Sequence, residues 1–269
     1  MSETNHTIGC IGCGSMGSAL LRGFARQRNH TLLGYDQTPA PLDALEAVGV
    51  ARQPDARCLA KSADIIILAV KPAQVQDVVE DILPFLTPEK MLISVAAIVS
   101  MSALKAMVNG ACPAVRVMPN TSAMAGAGIF GICFDDPLLK EEQKKTVSRL
   151  FRELGQAVVI PEARLNEFMA AFACGPGYVF HFMESLAEAA VTMGFSRKEA
   201  HELSAAVVYG AGKLALESGQ HPAVLREQVC SPGGVTIAAI NHMDRTAMRG
   251  NLIDAVIAAM KRAQEMEKK

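Results

Sequence analysis

Up to about Pro161 the chain alternates between short apolar runs and segments with helical spacing. Thr7–Ile11, Thr31–Tyr35, Asp64–Val70, Met91–Ala96, Ala114–Met118 and Ala157–Ile160 are strand-sized and rich in Ile, Leu and Val. Between them, Ser15–Gln27, Leu42–Val48, Asp55–Ser62, Gln74–Leu83, Ser102–Val108 and Leu138–Leu154 place apolar residues at helical spacing. A short strand is predicted around Gly49–Ala51 and an edge strand over Gly126–Phe134. The run Ile65–Val70 is apolar throughout, as a central parallel strand covered on both faces must be. This alternation predicts an α/β fold with a doubly wound parallel sheet. From Glu162 onward the strand pattern stops. Helices are predicted over 167–193, broken early by Cys174-Gly175-Pro176-Gly177, and over 197–218, 222–229, 235–243 and 246–267. Two domains follow, 1–161 and 162–269. Helices this apolar cannot bury themselves alone, so a homodimer is expected through the second domain.

The first strand runs into Gly12-Cys13-Gly14-Ser15-Met16-Gly17, a Gly-x-Gly-x-x-Gly turn that opens the first helix. Gly12 permits the sharp turn, Gly14 lets a pyrophosphate approach the backbone, and Gly17 lets helix and strand pack closely. The free N–H groups at the start of that helix would hold the anion. The second strand ends at Asp36, 24 residues past Gly12, where an acid can accept hydrogen bonds from ribose hydroxyls and repel a 2′-phosphate. No Arg or Lys lies in Gln37–Pro41. On that chemistry alone NAD is favoured over NADP, although an ordinary acid at a strand end would look the same.

Composition narrows the choice of partner. Half of the 269 residues are hydrophobic, and the net charge of −1 comes without a basic stripe. Nucleic acid is therefore not an expected partner. Aromatics make up 5% and Trp is absent, so stacking platforms for single strands are also not expected. No apolar run approaches membrane-spanning length, and seven scattered cysteines fit a reducing compartment. A cytoplasmic location without membrane attachment is expected. Cys10-x-x-Cys13 falls within the first strand and the turn, with no second ligand pair near it, and the six histidines show no metal spacing.

A second candidate site is Cys230-Ser231-Pro232-Gly233-Gly234-Val235-Thr236. Exposed N–H groups where it opens a helix would suit a small carboxylate, with the Thr236 hydroxyl beside it. An ordinary turn before a helix reads equally well from these residues alone.

Taken together, Ile11–Gly17, Ala69-Val70-Lys71-Pro72, Val117-Met118-Pro119-Asn120-Thr121, Gly175-Pro176-Gly177-Tyr178-Val179-Phe180, Gln220-His221-Pro222 and Ser231–Ile237 resemble the pyrroline-5-carboxylate reductase family over nearly the whole chain. The resemblance implies an N-terminal Rossmann domain, a C-terminal all-helical dimerisation domain, and often decamers built as pentamers of dimers. It implies hydride transfer from NADPH or NADH to the C=N bond of 1-pyrroline-5-carboxylate, giving L-proline. By position, Gly12, Gly14, Ser15, Met16, Gly17, Asp36, Ala69, Val70, Lys71, Pro119 and Asn120 would bind the cofactor. Ser231, Gly233, Gly234, Val235 and Thr236 would bind the substrate, and the catalytic hydroxyl of Thr236 would face the ring nitrogen. No His-Asp pair or paired carboxylates stand out, which suits a cyclic imine that needs only protonation and positioning.

The chain departs from the family pattern at several places. Phe172 and Cys174 stand where serines are usual, Ile98 where glycine is usual, and Ala56 where a polar residue is frequent. An imine or 2-hydroxyacid reductase with an altered pocket, and a non-catalytic dinucleotide sensor, are therefore the alternatives. Cys174 is expected as a buried packing residue, His181 as a core or interface histidine, and Lys213 on a solvated face. A positioning role for Lys71 and no role at all are equal readings.

Overall fold

The structure is a computed structural model and describes residues 5–267. Eight strands form one sheet: β1 (Thr7–Ile11), β2 (Thr31–Tyr35), β3 (Ala51–Arg52), β4 (Ile65–Leu68), β5 (Met91–Ser94), β6 (Ala114–Met118), β7 (Gly128–Cys133) and β8 (Gly155–Val159). Their order is β3-β2-β1-β4-β5-β6-β7-β8. All neighbours pair in parallel except β6 and β7. The chain moves outward from β1 through β2 to β3, then returns to place β4 on the other side of β1. That reversal makes a switch point at β1 and β4, where ligands bind outside the carboxyl ends of the strands.

One expectation needs correcting. The strand at Gly126–Phe134 is not an edge strand: β7 lies between β6 and β8, and β8 forms the edge. The antiparallel turn-back of β7 leaves its outer rim free, and β8 pairs there in parallel from Gly128↔Gly155 to Ile132↔Val159.

Both faces of the sheet are covered, and the period of two decides which side chain enters which layer. Ile65 and Ile67 of β4 pack with Ile8, Leu20, Phe24 and Phe151 on one face. Ile66 and Leu68 pack with Ile11, Leu59 and Val79 on the other. Burying each such side chain stabilises the fold by about 1.5–3 kcal/mol. Helix α1 (Ser15–Gln27) lies on the first face through Leu20, Leu21 and Phe24 and ends at Arg28 in the left-handed region. The remaining helices of this region are α2 (Ala40–Glu46), α3 (Ala56–Ser62), α4 (Val75–Ile82), α5 (Met101–Val108) and α6 (Glu141–Arg152).

Two charged residues, Arg116 and Asp136, are buried in this region. Arg116 of β6 is 1% exposed, and its Nη1 lies 3.0 Å from Glu162 Oε1. The same carboxylate oxygen accepts the N–H of Met101 at the start of α5. Glu162 thus ties the sheet to a helix start, and removing it would leave a buried guanidinium uncompensated.

Residues 5–174 with 260–267 form one compact unit, and 175–259 form a second. The predicted long helix over 167–193 is divided. α7 (Leu165–Phe168) passes into a π-helical turn (Met169–Ala173), and α8 (Gly175–Thr192) starts afresh where Pro176 cannot donate to a preceding turn. In the second unit α8 is followed by α9 (Arg197–Ser218), α10 (Pro222–Gln228), α11 (Val235–Arg245) and α12 (Met248–Glu267), whose final residues belong to the first unit. Ser196 and Glu199 form a capping box at the start of α9, and Gly219 closes its end in the left-handed conformation. The second unit leaves many large apolar side chains in the open, among them Met193, Leu203, Val207, Tyr209 and Leu216. Among the described residues no helix is long and apolar enough to cross a membrane.

Candidate active site

The glycine turn sits at the end of β1, wedged between the ends of β2 and β4. The N–H of Gly12 donates to Tyr35 O at 2.8 Å, and the N–H of Ala69 donates to Ile11 O at 2.8 Å. Gly12 has φ +92, and a Cβ there would stand 2.7 Å from the Ala69 carbonyl. A Cβ on Gly17 would stand 1.9 Å from Gly12 O. These two glycines are therefore required by the fold itself. Gly14 differs, because a Cβ there would meet nothing within 4 Å. Gly14 and Ser15 are exposed and Met16 is half-buried. No side chain caps α1, and its first turn carries no acid. An open, uncapped helix start with space in front of Gly14 fits a pyrophosphate.

The other predicted cofactor residues stand at neighbouring strand ends. Ala69 and Val70 follow β4 and are half-buried, while Lys71 is exposed, its N–H donating to Gln74 Oε1 at 3.3 Å. Pro119 and Asn120 follow β6 and are buried. The Asn120 side chain is committed to backbone: Oδ1 accepts the N–H of Ile129 at 3.1 Å, and Nδ2 donates to Phe172 O at 3.5 Å. Asp36 is committed in the same way, accepting the N–H of Cys13 at 2.7 Å and that of Thr38 at 2.8 Å. Asp36 thus fastens the glycine turn, a task the sequence reading did not give it. Ser18 adds a second fastening, its hydroxyl donating to Cys13 O at 2.5 Å. Cys10 and Cys13 are both fully buried beneath the turn. The Cys10 thiol is held well above its usual range, first by its hydrogen bond to Cys13 and then by burial.

Sequence reasoning missed one charged residue here. A cavity of about 540 Å³ at the end of β2 is lined by Asp36, Gln37 and Arg52, among others. The segment that follows Asp36, Gln37–Pro41, carries no basic residue. The guanidinium comes instead from the next strand, where Arg52 pairs with Gly34. Expecting β3 beside β2 and inspecting its residues would have found it.

The residues of the second predicted site lie together before α11 in the helical unit. The N–H of Gly234 donates to Ser231 O at 3.0 Å, and Gly233 takes φ +68. Gly234 precedes α11, whose start has no side-chain cap and no acid in its first turn. A Cβ on Gly234 would stand 2.3 Å from Ser231 Oγ, so the missing side chain makes room for that hydroxyl. Thr236 is exposed and Val235 is 90% exposed. Nearby, His221 caps α10, its Nδ1 accepting the N–H of Ala223 at 3.2 Å.

Residues 162–266 match the family described as pyrroline-5-carboxylate reductase dimerisation, and residues 7–98 match that described as NADP oxidoreductase, coenzyme F420-dependent. The pyrroline-5-carboxylate reductase of Escherichia coli strain K12 is 34% identical over 266 residues, covering 97% of this chain and 98% of that one. This chain belongs to the pyrroline-5-carboxylate reductase family. A solved pyrroline-5-carboxylate reductase from Coxiella burnetii is 31% identical with a TM-score of 0.89, covering 98% of this chain and 99% of its own. A Plasmodium falciparum pyrroline carboxylate reductase, solved with NADP bound, is 30% identical with a TM-score of 0.84 and 98% coverage of both chains. As a member of this family the chain is an NAD(P)-dependent oxidoreductase, and residues 162–266 are its dimerisation region.

Three departures from the pyrroline-5-carboxylate reductase pattern take a physical form. Ile98 adopts φ +75, a conformation natural to the usual glycine and strained for a β-branched residue. The Phe172 ring is half in solvent and packs on Phe168 at a centroid distance of 5.3 Å. Cys174 is exposed rather than buried, because it stands at the junction between the π-helical turn and α8. His181 is likewise exposed on α8, so it is not a core residue of this chain. Lys213 is exposed, 3.8 Å from Glu217. Among the described residues no group of three or more His, Cys, Asp or Glu is placed to hold a metal.

Proposed function

We infer that the chain performs the reaction of its family with the dinucleotide at the start of α1 and the substrate carboxylate at the start of α11. The reaction is reduction of the C=N bond of 1-pyrroline-5-carboxylate to L-proline, in proline biosynthesis. When bound, NAD(P)H supplies the hydride. Gly12, Gly14, Ser15, Met16 and Gly17 receive the pyrophosphate. Ala69, Val70, Lys71 and Pro119 line the nucleotide, and Asp36 and Asn120 hold the backbone that shapes its cradle.

The observation that carries the substrate assignment is the α11 start, uncapped and free of acid, with the Ser231 hydroxyl seated in the space a side chain at Gly234 would fill. The N–H groups of Val235 and Thr236 hold the carboxylate, helped by the helix dipole. The Thr236 hydroxyl donates a hydrogen bond to the ring nitrogen and stabilises the charge that changes there as the imine is reduced. A positioned hydroxyl and a fixed carboxylate meet the needs of a cyclic imine without a separate acid–base pair.

We assign nucleotide binding to residues 1–161, and substrate binding with dimerisation to 162–269. The exposed apolar helix faces support a homodimer, and a decamer built from five dimers is the proposed assembly. Seven free cysteines support a cytoplasmic location.

The deciding experiment compares wild type with Thr236→Ala, following NAD(P)H oxidation by 1-pyrroline-5-carboxylate. The expected result is a loss of about a hundredfold in kcat, with nucleotide affinity retained. Unchanged turnover in Thr236→Ala would remove the role of that hydroxyl, and absence of turnover by the wild type with either nucleotide would overturn the reading.

A further inference from the structure

The cavity beside the glycine turn contains one cationic side chain, and its placement bears on which dinucleotide the chain selects. Arg52 ends β3, level with Gly34 of β2 and therefore two residues short of Asp36. Its guanidinium reaches forward over the loop after β2. Nη1 lies 3.2 Å from Asp43 Oδ1, and Nη2 donates to Pro39 O at 3.5 Å. The remaining guanidinium donors are not used by these bonds. Asp43 is 67% exposed, so its hold on Arg52 is a screened surface pair. Asp36 shares the cavity, yet each of its carboxylate oxygens already accepts a backbone N–H. Those two amide dipoles partly offset its charge toward an incoming anion.

We propose that Arg52 is the specificity residue for the 2′-phosphate of the cofactor's adenosine ribose and makes NADPH the preferred reductant. This rests on the reading of the α1 start as the dinucleotide site. A ribose beyond the end of β2 places its 2′ substituent over the loop that Arg52 spans. A phosphate there offers the guanidinium two oxygens in a fork geometry, a better partner than the solvent-screened carboxylate of Asp43. The acid at the end of β2, which on its own signals NAD, serves mainly to hold Cys13.

The test is equilibrium binding without substrate, measured by calorimetry or nucleotide fluorescence. Dissociation constants for NADPH and NADH, and for 2′,5′-ADP against 5′-ADP, are compared in wild type, Arg52→Leu, Arg52→Lys and Asp43→Asn. The expected wild-type preference is for the 2′-phosphorylated member of each pair. Arg52→Leu lowers the ratio of NADPH to NADH affinity by about ten- to a hundredfold, the loss of a charged hydrogen-bonded pair. Arg52→Lys keeps part of the preference, and Asp43→Asn, which frees Arg52, raises it a few-fold. If Arg52→Leu fails to fold, the Lys variant and Asp43→Asn carry the same comparison. A wild-type ratio of one or less, or a preference that persists unchanged in Arg52→Leu, overturns the proposal while leaving the dinucleotide site in place. Failure of the wild type to bind either dinucleotide overturns both.

Discussion

The carboxylate of Asp36 accepts the backbone N–H of Cys13 at 2.7 Å, so the residue just after β2 holds the glycine turn that follows β1. Asp36→Ala removes that bond and the one to Thr38. It should cost about 1–3 kcal/mol of stability and weaken NADH and NADPH binding to a similar extent. Asp36→Asn keeps an acceptor oxygen and should retain part of both. Chemical denaturation and nucleotide titration on the same samples check this. A defect confined to one dinucleotide would assign Asp36 to ribose recognition instead.

The three glycines of the turn should respond differently to an added methyl group. Gly17→Ala puts a Cβ against Gly12 O and is expected to cost about 1–3 kcal/mol in folding. At Gly14 the same substitution meets open space, so stability should change by less than about 0.5 kcal/mol. Nucleotide affinity should nevertheless fall at least tenfold, because the proposed site brings the pyrophosphate into that space. Thermal melts with and without nucleotide separate the two effects. Full affinity in Gly14→Ala would place the pyrophosphate elsewhere.

Ile98 pays for its φ of +75 in backbone strain, and glycine would relieve it. The strain of a non-glycine residue there is of order 1–3 kcal/mol, against about 0.5–1 kcal/mol for the extra freedom glycine has when unfolded. Ile98→Gly is therefore expected to stabilise the protein by about 1 kcal/mol. A denaturation midpoint that falls would show that the packing of the Ile98 side chain outweighs the strain.

His6 and His30 stack at 6.0 Å between their ring centroids, on the side of β1 and β2 where those strands begin. Burial is the first cause that lowers both below the ordinary histidine value of 6.5, and Arg149 adds to it. Asp64 opposes the shift at His6, and Glu153, 3.5 Å from His30, opposes it there. The folded state therefore takes up these protons later than the unfolded chain does. Stability should decline as pH falls below about 6.5 and through the lowered range. His30→Gln should flatten that decline, measured as unfolding midpoint against pH. A wild-type stability that is level between pH 7 and pH 5 would remove the histidines from the account.

Much of the architecture was legible along the chain. The glycine turn with the helix after it and the isoleucine run of β4 are local signals, each set by dihedral preference or hydrophobic period within a few residues. The Ser231–Thr236 helix start was visible for the same reason. Two expectations failed for a common cause. Period assigns a residue to a face, but it does not say what covers that face, and so Cys174 came out exposed and β7 came out interior.

The sequence by itself determined the order of the elements, the two uncapped helix starts and the family. The tertiary structure alone decided which charges meet. Asp36 reaches a turn 23 residues earlier, and Arg116 finds Glu162 46 residues later. Arg52 enters the cavity beside Asp36 from a neighbouring strand rather than from the loop that follows Asp36. Strand order sets these meetings, and strand order follows from the packing of whole layers rather than from any local run of residues.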